Sequence, residues 1–293
     1  MKTLFHSQKV APYVFISPFL IAFVLFLAYP IFDAVLMSFK EIVPGEEKFI
    51  GLENYQALNN THFWAAVGNS LEYTFWTLVV LIPLPLILAV WLNSSKMVAK
   101  NFFRSTLFVP ALTSIIVGGA IFRLIFGELP TAPMNSILAS FGVEPQKWAN
   151  EAGTGMLLMV LLATWRWLGV NIIYFLSGLQ SIPTEMYEAA DIDGAGAIQK
   201  FWRITVPMLK PVSIYVLTIS IYGGLAMFTE SFVYWRTQSP NDIGLTIVGY
   251  LYQQSFEFFN LGFGAAIGIT LLLGVLVLNL IQLAVFGQFR KEE

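Results

Sequence analysis

Tyr187–Pro211 reads YEAADIDGAGAIQKFWRITVPMLKP, and it is the longest charged, amphipathic passage lying between two segments apolar enough to cross a membrane. Its residues describe two short helices joined at a bend. Pro183 suits a first helical position, where its fixed φ and missing N–H cost nothing, with Ser181 or Ile182 as the cap region. Glu185, Glu188 and Asp191 follow at three-residue spacing, an acidic stripe near the positive end of the helix dipole. Ala189 and Ala190 keep the opposite surface small. Gly194 admits a positive φ without a Cβ penalty, so the chain leaves one helix there and enters the next. Lys200, Arg203 and Lys210 then supply the charge a helix C-terminus favours, before Pro207 and Pro211 interrupt the second helix. Two readings fit these residues: a smooth helix that lies in a groove of another protein, or an amphipathic connection resting on a membrane surface.

The rest of the chain is membrane-like. Of 293 residues, 57% are hydrophobic and only 12% charged, too apolar for a soluble domain. A helix needs roughly 20 apolar residues to cross the hydrocarbon of a bilayer, and six segments pass: Ala11–Phe32, Phe63–Trp91, Ser105–Phe126, Met156–Leu179, Val212–Trp235 and Leu261–Phe286. The first follows MKTLFHSQK, which resembles the start of a signal peptide, but its apolar run is too long for one and contains Pro12, Pro18 and Pro30. Residues 1–293 are expected to form one all-α, polytopic membrane domain, with residues 181–211 as a loop within it.

Lys and Arg in the flanks orient the bundle. With the N-terminus inside, Lys2, Lys9, Lys96, Lys100, Arg104, Lys200, Arg203, Lys210, Arg290 and Lys291 face the cytosol, against Lys40, Lys48, Lys147 and Arg236 outside. The excess predicts N-in and C-in and places the Tyr187–Pro211 loop in the cytosol. The outward loops, about 41–62, 127–155 and 236–260, are acidic or neutral and rich in aromatics. They are candidates for touching an extracytoplasmic partner, or plain connectors.

Several function classes are excluded or weakened. Net charge is −2 without a long basic tract, which argues against nucleic acid. No cysteine is present, so disulfides, thiolate zinc sites and thiol catalysis are ruled out. His6 and His62 stand far apart, and no catalytic or metal-binding motif occurs. No phosphate-binding G-x-x-x-x-G-K-[ST] loop occurs either. If the chain pumps, another chain supplies the energy.

Arg166 and Glu230 are the costly residues, because a charge at mid-bilayer depth is expensive by about 2.5–3.5 kcal/mol and turns toward a bundle interior, a water cavity or a partner charge. Arg166 stands between Trp165 and Trp167. Aromatic rings beside polar groups suit a sugar, whose C–H faces pack on rings while its hydroxyls take hydrogen bonds. Glu230 lies near the outer end of the fifth span. The two either line one polar cavity and pair when it is empty, or form a structural ion pair, or Glu230 simply reaches the outer interface. Arg123, nearer a span end, reads as a snorkelling side chain.

Glu188-Ala189-Ala190, Gly194 and Ile204-x-Val206-Pro207 together resemble the "EAA" loop of permease subunits in bacterial ABC importers, with Val206 in place of the usual Leu. Over its whole length the chain is similar to the first of the two permeases in the carbohydrate-uptake, maltose-permease-like branch. Through FFRSTLFVPALTS, RLIFGE and YEAADIDGAG it resembles arabino-oligosaccharide permeases of Gram-positive bacteria, with lactose-type permeases near behind. The resemblance implies a type I ABC importer permease in the bacterial plasma membrane. It also implies four kinds of partner: a second homologous permease, two nucleotide-binding ATPase subunits, an extracytoplasmic solute-binding lipoprotein and the sugar.

The chain itself would hold no cofactor or metal, with ATP and magnesium used by the ATPases. Tyr187, Glu188, Ala189, Ala190, Asp193 and Gly194 would couple to the ATPase. Trp165, Arg166, Trp167, Asn171, Tyr222, Phe228, Glu230 and Ser231 would contact substrate. An ion-coupled secondary sugar carrier is the alternative, weakened by the scarcity of intramembrane carboxylates and the lack of matched halves. A membrane enzyme would need a catalytic cluster at depth, and none is evident.

Overall fold

The computed structural model describes residues 10–94 and 97–287; Lys2, His6, Lys9, Lys96, Arg290 and Lys291 lie outside these. The chain divides into two compact units, residues 1–60 with 251–270, and residues 61–250 with 271–293.

In the first unit, α1 (Ala11–Met37) is a continuous apolar helix with no buried residue in its most apolar window. Its ladder slips to a π-turn over Val24–Ala28, just before Pro30, a residue with no N–H to give. A hairpin of β1 (Lys40–Val43) and β2 (Glu46–Phe49) follows, pairing Lys40 with Phe49 and Val43 with Glu46. Pro44 and Gly45 make its turn, Gly45 at φ +86°. Asn54, on α2 (Glu53–Ala57), ties the hairpin to the end of α1 by donating to the Ser38 and Lys40 carbonyls at 3.0 and 2.8 Å. This hairpin was not expected from the sequence of the 41–62 loop.

The second unit is built on three long helices, α3 (Thr61–Asn93), α7 (Ala152–Gln180) and a fifth span made of α10 (Lys210–Leu225) and α11 (Thr229–Trp235). Between α3 and α7 run α4 (Lys100–Leu112), α5 (Ile115–Ile125) and the short α6 (Pro133–Ser140). The expected third span, Ser105–Phe126, is folded in two: α4 and α5 meet at 98°. Thr113 and Ser114 are extended there, with ψ near 137° and 132°, three residues after Pro110 has already weakened the helix. The remaining expected spans appear as helices. The loop after α7 contributes α8 (Thr184–Ile192) and α9 (Ala197–Lys200), and α12 (Ile247–Tyr252) precedes α13 (Leu261–Val285).

The long helix α7 is the axis of this unit, with half of its apolar window buried. Two clusters of side chains pack along it. Tyr73, Met156, Met159, Leu162 and Met227 form one toward its N-terminal half. Ala89, Leu92, Phe175, Leu176, Leu209 and Val216 form the other toward its C-terminal half. Gly169 lets α7 and α4 touch backbone to backbone: a Cβ there would overlap the Leu107 carbonyl. Small residues at such crossings are how membrane helices gain contact when lipid is as apolar as their side chains.

Pro83 and Pro85 break the ladder of α3 at Ile82. Because Pro85 has no N–H, the Leu81 carbonyl four residues back loses its helical donor. Asn171 of α7 replaces it, its side-chain amide donating to Leu81 O at 2.9 Å in a buried position.

Candidate functional site

The Tyr187–Pro211 loop is two helices at a bend. Pro183 caps α8 with ψ 133° instead of occupying its first turn, which begins at Thr184. Gly194 takes φ +76°, and Ala195 N–H donates to Ala190 O at 2.8 Å while Gly194 N–H donates to Asp191 O at 3.1 Å. This is a Schellman closure, in which the left-handed residue satisfies the last helical carbonyls. Across the bend, Lys200 reaches Asp191 at 2.6 Å, and the Tyr187 and Thr205 hydroxyls meet at 2.9 Å. Tyr187 and Ile204 also pack on the C-terminal side-chain cluster of the bundle. The second helix slips to a π-turn over Phe201–Thr205 ahead of Pro207, as α1 does ahead of Pro30.

The loop's outer surface is apolar at its tips: Ile192 is 88% exposed, Ile198 76% and Trp202 64%. Glu188, Ala189, Asp193 and Gly194 are exposed beside them. Sequence reading placed the acidic stripe and the bend but overlooked these three apolar side chains, whose presence within an otherwise polar, charged loop was the available signal.

A cavity of about 430 Å³ opens midway along α3, α7 and the fifth span. Its wall includes Tyr73 and Thr77 from α3, Trp167, Asn171 and Tyr174 from α7, and Ser220, Tyr222, Phe228, Thr229 and Glu230 from the fifth span. The fifth span is broken beside it, since Ala226, Met227 and Phe228 are not helical. That break turns consecutive residues of one chain segment into the cavity. Glu230 follows in the first turn of α11 and is only 8% exposed.

Of the substrate residues expected from sequence, Trp167, Asn171, Tyr222, Phe228 and Glu230 share this wall. Three do not. Trp165 turns to α5, with its ring 5.7 Å from that of Phe122 and against Gly118. Ser231 donates to the Gly244 carbonyl on the far side of α11. Arg166 carries its guanidinium 5.3 Å over the Trp167 ring, and its buried Nε has no partner among the described residues.

The pairing of Arg166 with Glu230 is corrected as well. No ion pair joins them among the described residues; the guanidinium stacks on the neighbouring indole instead. Arg123 sits close to Val233 O at 3.4 Å, at the end of α5. Tyr73, Thr77 and Tyr174 were missed by sequence reading, which searched the spans for charges. As uncharged residues within apolar spans they gave no separate signal.

Residues 81–291 match the family model described as the binding-protein-dependent transport system inner membrane component. The chain belongs to this family. It is therefore a membrane permease component of an ABC importer, and the secondary-carrier alternative is set aside. The arabinooligosaccharides transport system permease protein AraP of Bacillus subtilis is 58% identical over 99% of this chain and 93% of its own length. The lactose transport system permease protein LacF of Rhizobium radiobacter is 30% identical over 92% of each chain. A crystal structure of a bacterial ABC transporter that imports the acidic polysaccharide alginate shares the fold, with TM-score 0.83, 22% identity and 96% of each chain covered. The family match includes the loop, the broken fifth span and all of the cavity wall except Tyr73 and Thr77.

Proposed function

We propose that this permease carries arabino-oligosaccharides inward across a bacterial plasma membrane, with both termini in the cytosol. The observation that carries the substrate is the 58% identity, over nearly the whole chain, to a permease named for arabino-oligosaccharide transport. The cavity supports it chemically. Tyr73, Trp167, Tyr222 and Phe228 offer rings to the C–H faces of a sugar, while Thr77, Ser220, Thr229 and Glu230 offer partners to its hydroxyls.

The Tyr187–Pro211 loop is the coupling element, docking in a groove of a partner ATPase through Glu188, Ala189, Ala190, Ile192 and Ile198. ATP and magnesium are bound and used in that partner. A second homologous permease completes the path, and a solute-binding lipoprotein delivers sugar to the outer face. Closure of the ATPase dimer moves the loop, and α7 and the fifth span, which leave its two ends, convert that displacement into a switch between inward and outward exposure of the cavity.

The test is ATP-dependent uptake of labelled arabino-oligosaccharides in proteoliposomes holding the complete complex. Gly194→Asp and Glu188→Lys are expected to abolish uptake while the complex still binds sugar-loaded lipoprotein. Normal transport by both variants would reduce the loop to a surface helix and overturn the reading.

A further inference from the structure

Among the described residues, Glu230 is the only charged one in the cavity wall. It is buried and without an ion-pair partner among the described residues, on a segment whose helical break turns it toward the space. Arg166 is outside the wall, its guanidinium stacked on the wall residue Trp167. Whatever occupies the cavity therefore meets one carboxylate and, among the described residues, no positive charge in the wall itself. The fold does not dictate this, since the same architecture in the alginate importer serves an acidic polysaccharide; the side chains must decide.

We propose that Glu230 sets the charge class of the cargo, so that the cavity admits uncharged and basic saccharides and rejects acidic ones. This rests on the transport reading above and narrows it. A neutral sugar brings hydroxyl donors, which a carboxylate accepts strongly. A uronate or aldonate brings a second negative charge into a confined apolar wall, where repulsion is screened far less than in water and discrimination of about tenfold or more follows.

The absence of cysteine allows a direct test. In the complete complex, with its other subunits made cysteine-free, Ser220→Cys reports the cavity through its rates of modification by cationic, anionic and neutral methanethiosulfonates. The cationic-to-anionic ratio is expected to fall at least fivefold on Glu230→Gln and to persist in Glu230→Asp, with the neutral rate within twofold throughout. A ratio that Glu230→Gln leaves unchanged, or that falls equally in Glu230→Asp, overturns the proposal.

A second arm compares uptake of one arabino-oligosaccharide reduced to its alditol or oxidised to its aldonate, each expressed per molecule bound to the lipoprotein. Wild type should favour the alditol about tenfold and Glu230→Gln should narrow the gap, while equal uptake in wild type refutes the selectivity. Failure of wild type to take up the alditol, with the reagent ratio intact, refutes the transport reading instead.

Discussion

The Asn171 amide stands in for a donor that Pro85 removed, and that substitution of one group for another has a measurable signature. In Asn171→Leu, the Leu81 carbonyl is left in a packed interior; Asn171 is only 4% exposed and its hydrogen bond measures 2.9 Å. An orphaned buried carbonyl costs about 1–3 kcal/mol, whereas side-chain hydrogen bonds within membranes average about 0.6 and reach about 1.7 kcal/mol. Since Pro85 leaves no helical donor in reserve, the upper part of the membrane range applies, about 1.5 kcal/mol.

In a Pro85→Ala background the backbone N–H returns to Leu81 O, and Asn171→Leu should then cost only about 0.5 kcal/mol. The coupling of about 1 kcal/mol is read from a double-mutant cycle by SDS unfolding in mixed micelles, where the packing lost at Pro85 itself cancels. A coupling within the roughly 0.3–0.5 kcal/mol scatter of independent sites would refute the reasoning.

Gly169→Ala should destabilise the unit by about 2–3 kcal/mol, because the new Cβ meets the Leu107 backbone and neither side can rotate away; the same unfolding titration measures it, and a neutral result would mean that α7 and α4 sit farther apart. Gly224→Ala faces the Thr74 side chain, which can change rotamer, so its loss should be smaller. Ile192→Ser should leave the unfolding midpoint within about 0.5 kcal/mol, as expected at an exposed position, yet reduce copurification with the ATPase at least tenfold in a quantitative pull-down. Tyr187→Phe should cost about 1 kcal/mol by removing its hydroxyl contact with Thr205, seen as a lower midpoint in a thermal scan of the detergent-solubilised complex.

The long spans were legible because burial in lipid demands uninterrupted apolar runs, and the bend at Gly194 because a left-handed residue after a helix favours glycine. The 98° break after Leu112 was not. Pro110 announced some disturbance, but whether a proline kinks a span or folds it over depends on what α7 and α11 pack against it. The hairpin at Lys40–Phe49 had its signal in Pro44-Gly45, drowned by charges that read as an ordinary loop. Asn171 shows the limit from the other side: sequence marks a polar residue in a span but not its obligation, and here part of its hydrogen-bonding capacity goes to Leu81. Arg166 was legible as an expensive residue, while its answer, the adjacent Trp167, lay one position away.

In the coupling role proposed for the loop, the closed bend at Gly194 would determine how work passes through the permease. Its two backbone bonds, with the Asp191–Lys200 and Tyr187–Thr205 ties across it, make the elbow stiff in place of a joint that yields. Force applied at Ile192 or Ile198 is then not dissipated in rearranging the loop. In the coupling role proposed above it would arrive as displacement at both spans that leave the loop, through a bend whose left-handed residue has no side chain.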